Sequence, residues 1–159
     1  MTKFYAVLTA AVVLPLLCST AVSQATAVAY SRQELVQLAD QMREQMKNSP
    51  NVAQGLFEKR LDNSTILAFR DKDGSAEAHE QSEDVFVVLR GSATLVTGGT
   101  ITRPVTTEPG EIRGVAIQQG SRRDLKEQDI VHIPAGVPHQ LLVPSGGSFT
   151  YFIVKVPLK

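Results

Sequence analysis

The sequence is poor in the residues that build disulfide frameworks, sulfur-rich metal sites and aromatic binding surfaces. It has one cysteine, Cys18, and no tryptophan, and only 6% of its 159 residues are aromatic. A single cysteine excludes an intrachain disulfide and a cysteine-based zinc site. Because aromatic side chains are so few, we expect any ligand pocket to have mainly aliphatic walls.

An excess of charge of one sign is also lacking. Sixteen Lys and Arg residues balance sixteen Asp and Glu residues, so no polybasic surface is expected for nucleic acid or for an anionic membrane. The three histidines, His79, His132 and His139, are too few for a long proton relay. The length suits one globular domain.

Residues 1–29 have the pattern of a secretory signal peptide. Lys3 gives a positive start, residues 4–18 form an apolar run, and small residues follow at small-x-small spacing, with cleavage near 23–29. The alternative is a membrane anchor, but the apolar run is shorter than the ~20 residues that a spanning helix needs. A lipoprotein anchor at Cys18 is disfavoured because Leu17 is larger than the small residue that usually precedes such a cysteine.

Cleavage of this segment changes the composition of the chain. Cys18 leaves with it, and the loss of Lys3 leaves fifteen of the sixteen basic residues against sixteen acidic ones, a net charge of −1. We therefore expect an exported protein, periplasmic or secreted, with no membrane span after cleavage. Its stability then comes from its apolar core, which is feasible for a chain of roughly 130 residues.

Residues 30–50 predict one amphipathic helix, from about Arg32 to Lys47. Ser31 and Glu34 form a capping box at its start. Apolar residues recur at helical spacing at positions 35, 38, 39, 42 and 46, and Asn48-Ser49-Pro50 ends the pattern. We interpret the apolar face as the face that packs on the main domain.

Residues 51–159 predict an all-β domain, a sandwich or barrel of antiparallel strands. The expected strands lie at Ile66–Phe69, Val85–Leu89, Ala93–Val96, Gly114–Ile117, Ile130–Ile133, Leu141–Val143 and Phe149–Val156. Arg90-Gly91 separates the second run from the third. Residues 100–128 are polar and contain two prolines, which favours an extended hairpin or loop.

Two segments of this domain concentrate the residue types that carry chemistry. Glu77 and His79 alternate, so on a strand they project to the same face, and Asp84 opens the next strand. In the second segment, the turn Pro134-Ala135-Gly136 leads to His139 at the start of a strand. An antiparallel barrel can bring the two segments together.

At these positions the sequence resembles the cupin superfamily. Glu77-x-His79, Asp84 and Gly91 stand at the spacing of the first cupin motif, and residues 132–139 (HIPAGVPH) match the second motif most specifically. The resemblance covers about residues 66–156. It implies a small single-domain cupin, a jelly-roll barrel with its site in the barrel mouth, and a homodimer, because cupins often pair through their strands.

The resemblance also implies a metal site, by position. The implied ligands are Glu77, His79, Asp84 and His139. Glu77 replaces the usual first histidine and Asp84 the usual glutamate, and at two structural positions Gln128 and Val143 replace Gly and Asn. Two histidines and a carboxylate suit Fe(II), Mn(II) or Zn(II). Asp84 has a shorter reach than glutamate, so Glu77, His79 and His139 form the minimal set, with Asp84 as fourth ligand or general base.

Two cationic residues are candidates for binding a substrate. Arg113 can bind a carboxylate through two nitrogens, and the alternative is a surface salt bridge. Lys155, in an otherwise apolar strand, is a candidate acid, base or anion binder if it is buried; the alternative is an edge-strand lysine that discourages aggregation. His132 alternates with Val131 and Ile133 and is not expected to be a ligand.

Three functions stay open at this point. One is a metal-dependent enzyme of the dioxygenase, isomerase or lyase type that acts on a small oxygenated substrate. Another is a non-catalytic module that captures a small molecule or a metal. The third is a structural protein that dimerises through its N-terminal helix. No residue in the sequence separates the three reaction types.

Overall fold

The computed structural model describes residues 27–47, 56–62 and 64–159. Most of the expected signal peptide, the end of the helical segment and the start of the barrel domain lie outside these ranges. Within them, no helix has the length and apolar character needed to cross a bilayer. The elements in chain order are α1 (Arg32–Met46), β1 (Leu56–Arg60), β2 (Thr65–Arg70), β3 (Ala76–His79), β4 (Ser82–Thr97), β5 (Thr100–Ile101), β6 (Val105–Glu108), β7 (Glu111–Gly114), β8 (Ile117–Gln118), β9 (Ser121–Lys126), β10 (Ile130–Ile133), β11 (His139–Leu142) and β12 (Phe149–Pro157).

One large antiparallel sheet curls into a half-barrel. Its strands follow the order β1-β2-β12-β4-β11-β3-β7-β6, and β9 and β10 both pair with β4. Strands β5 and β8 form a separate pair. The expected all-β class with one preceding helix is confirmed, and this is the architecture that the cupin resemblance implies.

Strand β4 joins the two halves of the sheet. The sequence predicts two strands separated at Arg90-Gly91, but the structure has one strand of 16 residues. Its first half pairs with β10 and most of β12, and its second half with β9 and β11. Gly91 has φ +85°, and a Cβ there would lie 2.0 Å from the Ser148 carbonyl oxygen. Glycine therefore allows a positive φ and a close backbone approach within one continuous strand.

The segment expected to be a hairpin or loop, residues 100–128, contains five strands. That prediction underestimated the regular structure. Every residue of β6 is exposed, and β9 has one buried residue, Leu125. Strands with so little buried surface show no apolar alternation, so their sequence resembles that of a loop.

Helix α1 packs on the outer face of the sheet and carries the predicted capping box, in which Ser31 and Glu34 bond reciprocally. Leu35, Ala39 and Met42 are buried against the outward side chains of β2 and β4. Asp40 also forms an ion pair with Arg90. The helix therefore covers the face of the sheet opposite the interior.

The interior changes from apolar to polar along the strands. The apolar end contains buried side chains from β4, β9, β11 and β12, including Val88, Leu125, Leu141 and Phe149. On β4 the inward positions then run through Phe86 to Asp84, and on β12 through Ile153 to Lys155. The sheet thus closes over a hydrophobic core at one end and a charged cavity at the other.

Candidate metal centre

The two motif segments meet across a single pair of strands. Glu77 and His79 project to the same face of β3, and Glu77 is the register partner of His139 on β11. The intervening residue, Ala78, projects to the other face and packs in a small apolar cluster with Ile101. The alternation that the sequence shows therefore delivers three potential ligands to one side of the sheet.

The donor atoms of these residues converge. One atom each from Glu77, His79 and His139 lies within 4.8 Å of the others, and His139 Nε2 is 3.4 Å from Glu77 Oε1. Ligands held about 2.1 Å from a metal lie about 3.0 Å apart at right angles and about 3.4 Å apart in a tetrahedron. Glu77 and His139 are thus spaced as two metal ligands are, and more widely than a charge-assisted hydrogen bond of about 2.7–2.9 Å requires.

Both imidazoles are held in the tautomer that a metal requires. His139 Nδ1 lies 3.0 Å from the Val137 carbonyl oxygen, which can only accept, so Nδ1 carries the proton. His79 Nδ1 lies 2.5 Å from Glu111 Oε2 and donates to that carboxylate. Each Nε2 atom is buried, and neither has a hydrogen-bond partner among the described residues. A ligating histidine usually has this arrangement, with its second nitrogen donating to a carboxylate or a carbonyl.

Glu77 is held ionised by the groups around it. Burial raises its pKa, but in the acid range where the imidazoles are protonated the adjacent His139, together with the charges of Arg113 and His79, lowers it to about 2. Arg113 pairs with Oε2 of Glu77, which leaves Oε1 facing His139. One oxygen of the carboxylate is therefore available to a cation in the cavity.

Asp84 lies beside this cluster and is bound elsewhere. Its Oδ2 atom is 3.5 Å from His79 Nε2 and 3.7 Å from His139 Nε2, while Oδ1 is 2.8 Å from Lys155 Nζ. Burial raises the pKa of Asp84, but the adjacent His79, when it is protonated, and the ion pair with Lys155 lower it further than burial raises it. Asp84 thus shares its charge with Lys155 and is a neighbour of the three-residue cluster.

A cavity of about 560 Å³ opens from the site. The expectation of mainly aliphatic walls was wrong: the lining includes only two aliphatic residues, Ile66 and Ile153, and most of the others are charged or polar. Polar residues are tolerated here because the cavity opens to solvent and because the charged groups pair with one another. The two aromatic residues of the lining, Phe86 and Tyr151, pack edge to face.

Tyr151 remains protonated in this cavity. Arg70 Nε donates to its hydroxyl at 3.1 Å. Burial raises the pKa of Tyr151 to about 12, although the adjacent Arg70 opposes this change. The phenol is therefore a neutral hydrogen-bonding group and not a base at ordinary pH.

The remaining residues singled out in the sequence have definite positions. Arg113 and Lys155 both line the cavity, and each is paired with a carboxylate of the site. His132 is half exposed and lies 2.7 Å from Glu83 Oε2, away from the cluster.

No role was predicted for Glu111, because it lies in the polar segment expected to be an extended hairpin or loop, 32 residues from His79. A signal in the sequence could have indicated it. Glu111 and Arg113 are separated by one residue, as Glu77 and His79 are, so that on paired strands Glu111 can meet His79 while Arg113 meets Glu77.

No family model matches the sequence, and no curated protein is significantly similar to it. Several solved structures are similar to the chain. A predicted oxalate decarboxylase from Thermotoga maritima is 13% identical, with 65% of this chain and 81% of that chain covered and a TM-score of 0.46. A cupin protein from Bacteroides fragilis is 13% identical, with 60% and 68% covered and a TM-score of 0.41. The DMSP lyase DddQ from Ruegeria pomeroyi is 15% identical with a TM-score of 0.41; the match covers 65% of this chain and 39% of that chain.

Proposed function

We propose that the chain binds a divalent metal ion through Glu77, His79 and His139 and presents it to a small oxygenated molecule in the cavity. The observation that carries the proposal is the pair of Nε2 atoms, buried and without hydrogen bonds, next to an ionised carboxylate. Buried polar atoms are nearly always paired, and leaving them unpaired is costly. A metal ion satisfies both imidazoles and the carboxylate at once.

The donor set limits the metal and its chemistry. Two imidazoles and one carboxylate with open positions suit Fe(II), and Mn(II) and Zn(II) also accept such ligands. When bound, the ion supplies Lewis acidity to an oxygen of the substrate. The protein's own part is to orient the imidazoles through Glu111 and Val137 and to place Asp84 Oδ2 beside the ligands. In that position Asp84 can accept a proton from a molecule in the cavity, with Lys155 holding its other oxygen.

A non-catalytic binding module is the second candidate. It is favoured by the lowered pKa values of Glu77 and Asp84, because carboxylates that are strongly held in the ionised form are weak bases. Arg113 and Lys155, the two cations nearest the ligands, are also paired with protein carboxylates. Such a cavity can hold a metal and a small molecule without turnover.

A metal titration tests the proposal. The chelator-stripped protein is titrated at pH 7.5 with Mn(II), Zn(II) and, without oxygen, Fe(II). Burial lowers the pKa of His79, but the adjacent carboxylates of Asp84 and Glu77 raise it above its usual value. The titration is therefore made at pH 7.5, where protons compete less with the metal for His79. We expect one equivalent of at least one metal, loss of most binding in His139→Ala, and unchanged binding in His132→Ala. Less than about 0.1 equivalent of all three metals in the wild type would overturn the proposal.

A second measurement separates the enzyme from the binding module. Native mass spectrometry identifies a ligand that co-purifies with the protein, and the metal-loaded protein is then incubated with an excess of it. Conversion of the ligand to a new mass, absent in His139→Ala, supports an enzyme. Full recovery of the ligand supports the binding module.

Export is a separate proposal that rests on residues 1–29 alone. Its test is the N-terminal sequence of the protein recovered outside the cytoplasm. A new N-terminus near residues 24–30 is expected, whereas an intact Met1 contradicts cleavage.

A further inference from the structure

One strand supplies the outer contacts of two proposed ligands. Strand β7 pairs with β3, with Arg113 opposite Glu77 and Glu111 opposite His79. Glu111 binds His79 Nδ1, and Arg113 binds Glu77 Oε2. Since Glu111 and Arg113 are two residues apart on a strand, both project to the same face and engage the two ligands together.

The hairpin that carries these residues, β6–β7 (residues 105–114), forms one end of the sheet. Strand β6 is exposed at all four residues and ends the strand order. Behind the site, Ile112 packs on the small cluster that includes Ala78. At the turn, the Gly110 carbonyl accepts a hydrogen bond from Glu80 N at 2.8 Å. With little buried apolar surface of its own, the hairpin depends more than a core strand on its two charged contacts for docking.

Each charged contact defines what its ligand can do. Glu111 keeps the proton of His79 on Nδ1, so that the lone pair of Nε2 faces the cavity. Arg113 occupies one oxygen of Glu77, so that Glu77 has its other oxygen for a metal. Loss of either contact leaves a ligand free to rotate or to bind in another way.

We propose that the β6–β7 hairpin is an outer clamp on the metal site, with Glu111 and Arg113 as its positioning residues. This inference rests on the proposed metal-binding function. A docked hairpin holds His79 and Glu77 in the ligating arrangement, and a bound metal holds the same two side chains against Glu111 and Arg113. Because the coupling is reciprocal, metal binding strengthens hairpin docking by the factor by which docking strengthens metal binding.

The first test compares metal affinities at pH 7.5 by calorimetry. Removal of an outer partner of a metal ligand typically weakens metal binding about 10–100-fold. We expect a loss of that size in Glu111→Ala and Arg113→Ala. We expect a smaller loss in Glu111→Gln, because its amide oxygen still accepts the Nδ1 proton. The matched control is Glu108→Ala, which removes a carboxylate from the same hairpin and the same cavity. The ion pairs of the proposed ligands in the described residues do not involve Glu108. Its affinity should stay within about 3-fold.

The second test measures the coupling between metal binding and hairpin docking directly. Amide hydrogen exchange of residues 105–114 is measured in the wild type with and without saturating metal, and a slowing by metal is expected. In Glu111→Ala this slowing should diminish, and the downfield Nδ1 proton resonance of His79 should shift or disappear. Circular dichroism identifies the variants that fold. If Glu111→Ala does not fold, Glu111→Gln is measured in its place.

The outcomes are distinguishable. A wild type that binds none of the three metals overturns the proposed function. A wild type that binds metal, with equal affinities in Glu111→Ala, Arg113→Ala and Glu108→Ala and unchanged exchange in the hairpin, overturns the clamp alone.

Discussion

Lys155 Nζ lies 2.8 Å from Oδ1 of Asp84, and the two residues are register partners on β12 and β4. Asp84 is almost fully buried, and Lys155 is one-quarter exposed. The contact changes the interpretation of the motif, because Asp84 stands where the cupin resemblance implies a metal ligand. One of its oxygens neutralises a lysine, and the other faces the Nε2 atoms of His79 and His139. Lys155 is not the edge-strand lysine considered as an alternative, because β12 lies between β2 and β4.

Removal of Lys155 should destabilise the protein through the carboxylate that it leaves behind. Breaking a buried ion pair by deleting one partner typically costs about 3–5 kcal/mol. Because Lys155 is partly exposed, we expect Lys155→Met to lower the free energy of unfolding by about 3 kcal/mol, the lower end of that range. Urea denaturation at pH 7 with a chelator measures it. The control is Lys155→Met with Asp84→Asn, which should recover much of the loss, and equal stability of Lys155→Met and wild type would contradict a buried pair.

Acid should weaken the metal-free protein through Glu77. Its pKa is depressed in the folded state from 4.5 to about 2, so the stabilisation is complete above about pH 5 and is lost as the pH falls towards 2. At about 1.4 kcal/mol per pKa unit, the effect is on the order of 3 kcal/mol. Denaturation at pH 6 and pH 3 with a chelator measures the difference. Between pH 6 and pH 3 we expect Glu77→Gln to lose less stability than the wild type, because only the contribution of Asp84 remains. A loss equal to that of the wild type would show that Glu77 is not the group responsible.

The close backbone approach at Gly91 predicts different costs for two glycine substitutions. Gly91 and Gly146 both have positive φ, +85° and +72°, but a Cβ at Gly91 meets the Ser148 carbonyl oxygen at 2.0 Å, whereas a Cβ at Gly146 has nothing within 4 Å. Gly146→Ala should cost about 1–2 kcal/mol from backbone conformation alone. Gly91→Ala should cost several kcal/mol more or prevent folding, because a backbone atom must move. Thermal melting of both variants makes the comparison, and similar melting temperatures would contradict the close approach.

Helix α1 should stabilise the fold without affecting the site. Leu35 is 6% exposed and packs on the outer face of the sheet, away from the cavity. Leu35→Ala should lower the free energy of unfolding by about 2–4 kcal/mol. Its metal affinity, measured while the protein remains folded, should match the wild type. The exposed Gln37→Ala on the same helix is the control for stability, and a changed metal affinity in Leu35→Ala would show that the helix supports the site.

Much of the fold could be predicted because its elements carry repeating apolar patterns. The capping box at Ser31 and Glu34 defined the start of α1, and the short apolar runs of β2, β10 and β12 matched the expected strands. The prediction failed where burial is low or where one residue has an unusual role. Strands β6 and β9 lack an apolar face, and Arg90-Gly91 resembles a turn although both residues lie within one continuous strand.

The sequence by itself determined which side chains can act as ligands. Glu77 and His79 must share a face on any strand, and the Pro134–Gly136 turn places His139 at the start of another strand. Only the tertiary structure decided their partners: that His139 pairs across from Glu77, that Glu111 and Arg113 engage His79 and Glu77, and that Asp84 binds Lys155. The physical reason is the distance along the sequence over which each property is determined. Alternation along a strand is a local property of the backbone, whereas ion pairing between residues more than thirty positions apart depends on strand order and register, which the packing of the whole chain determines.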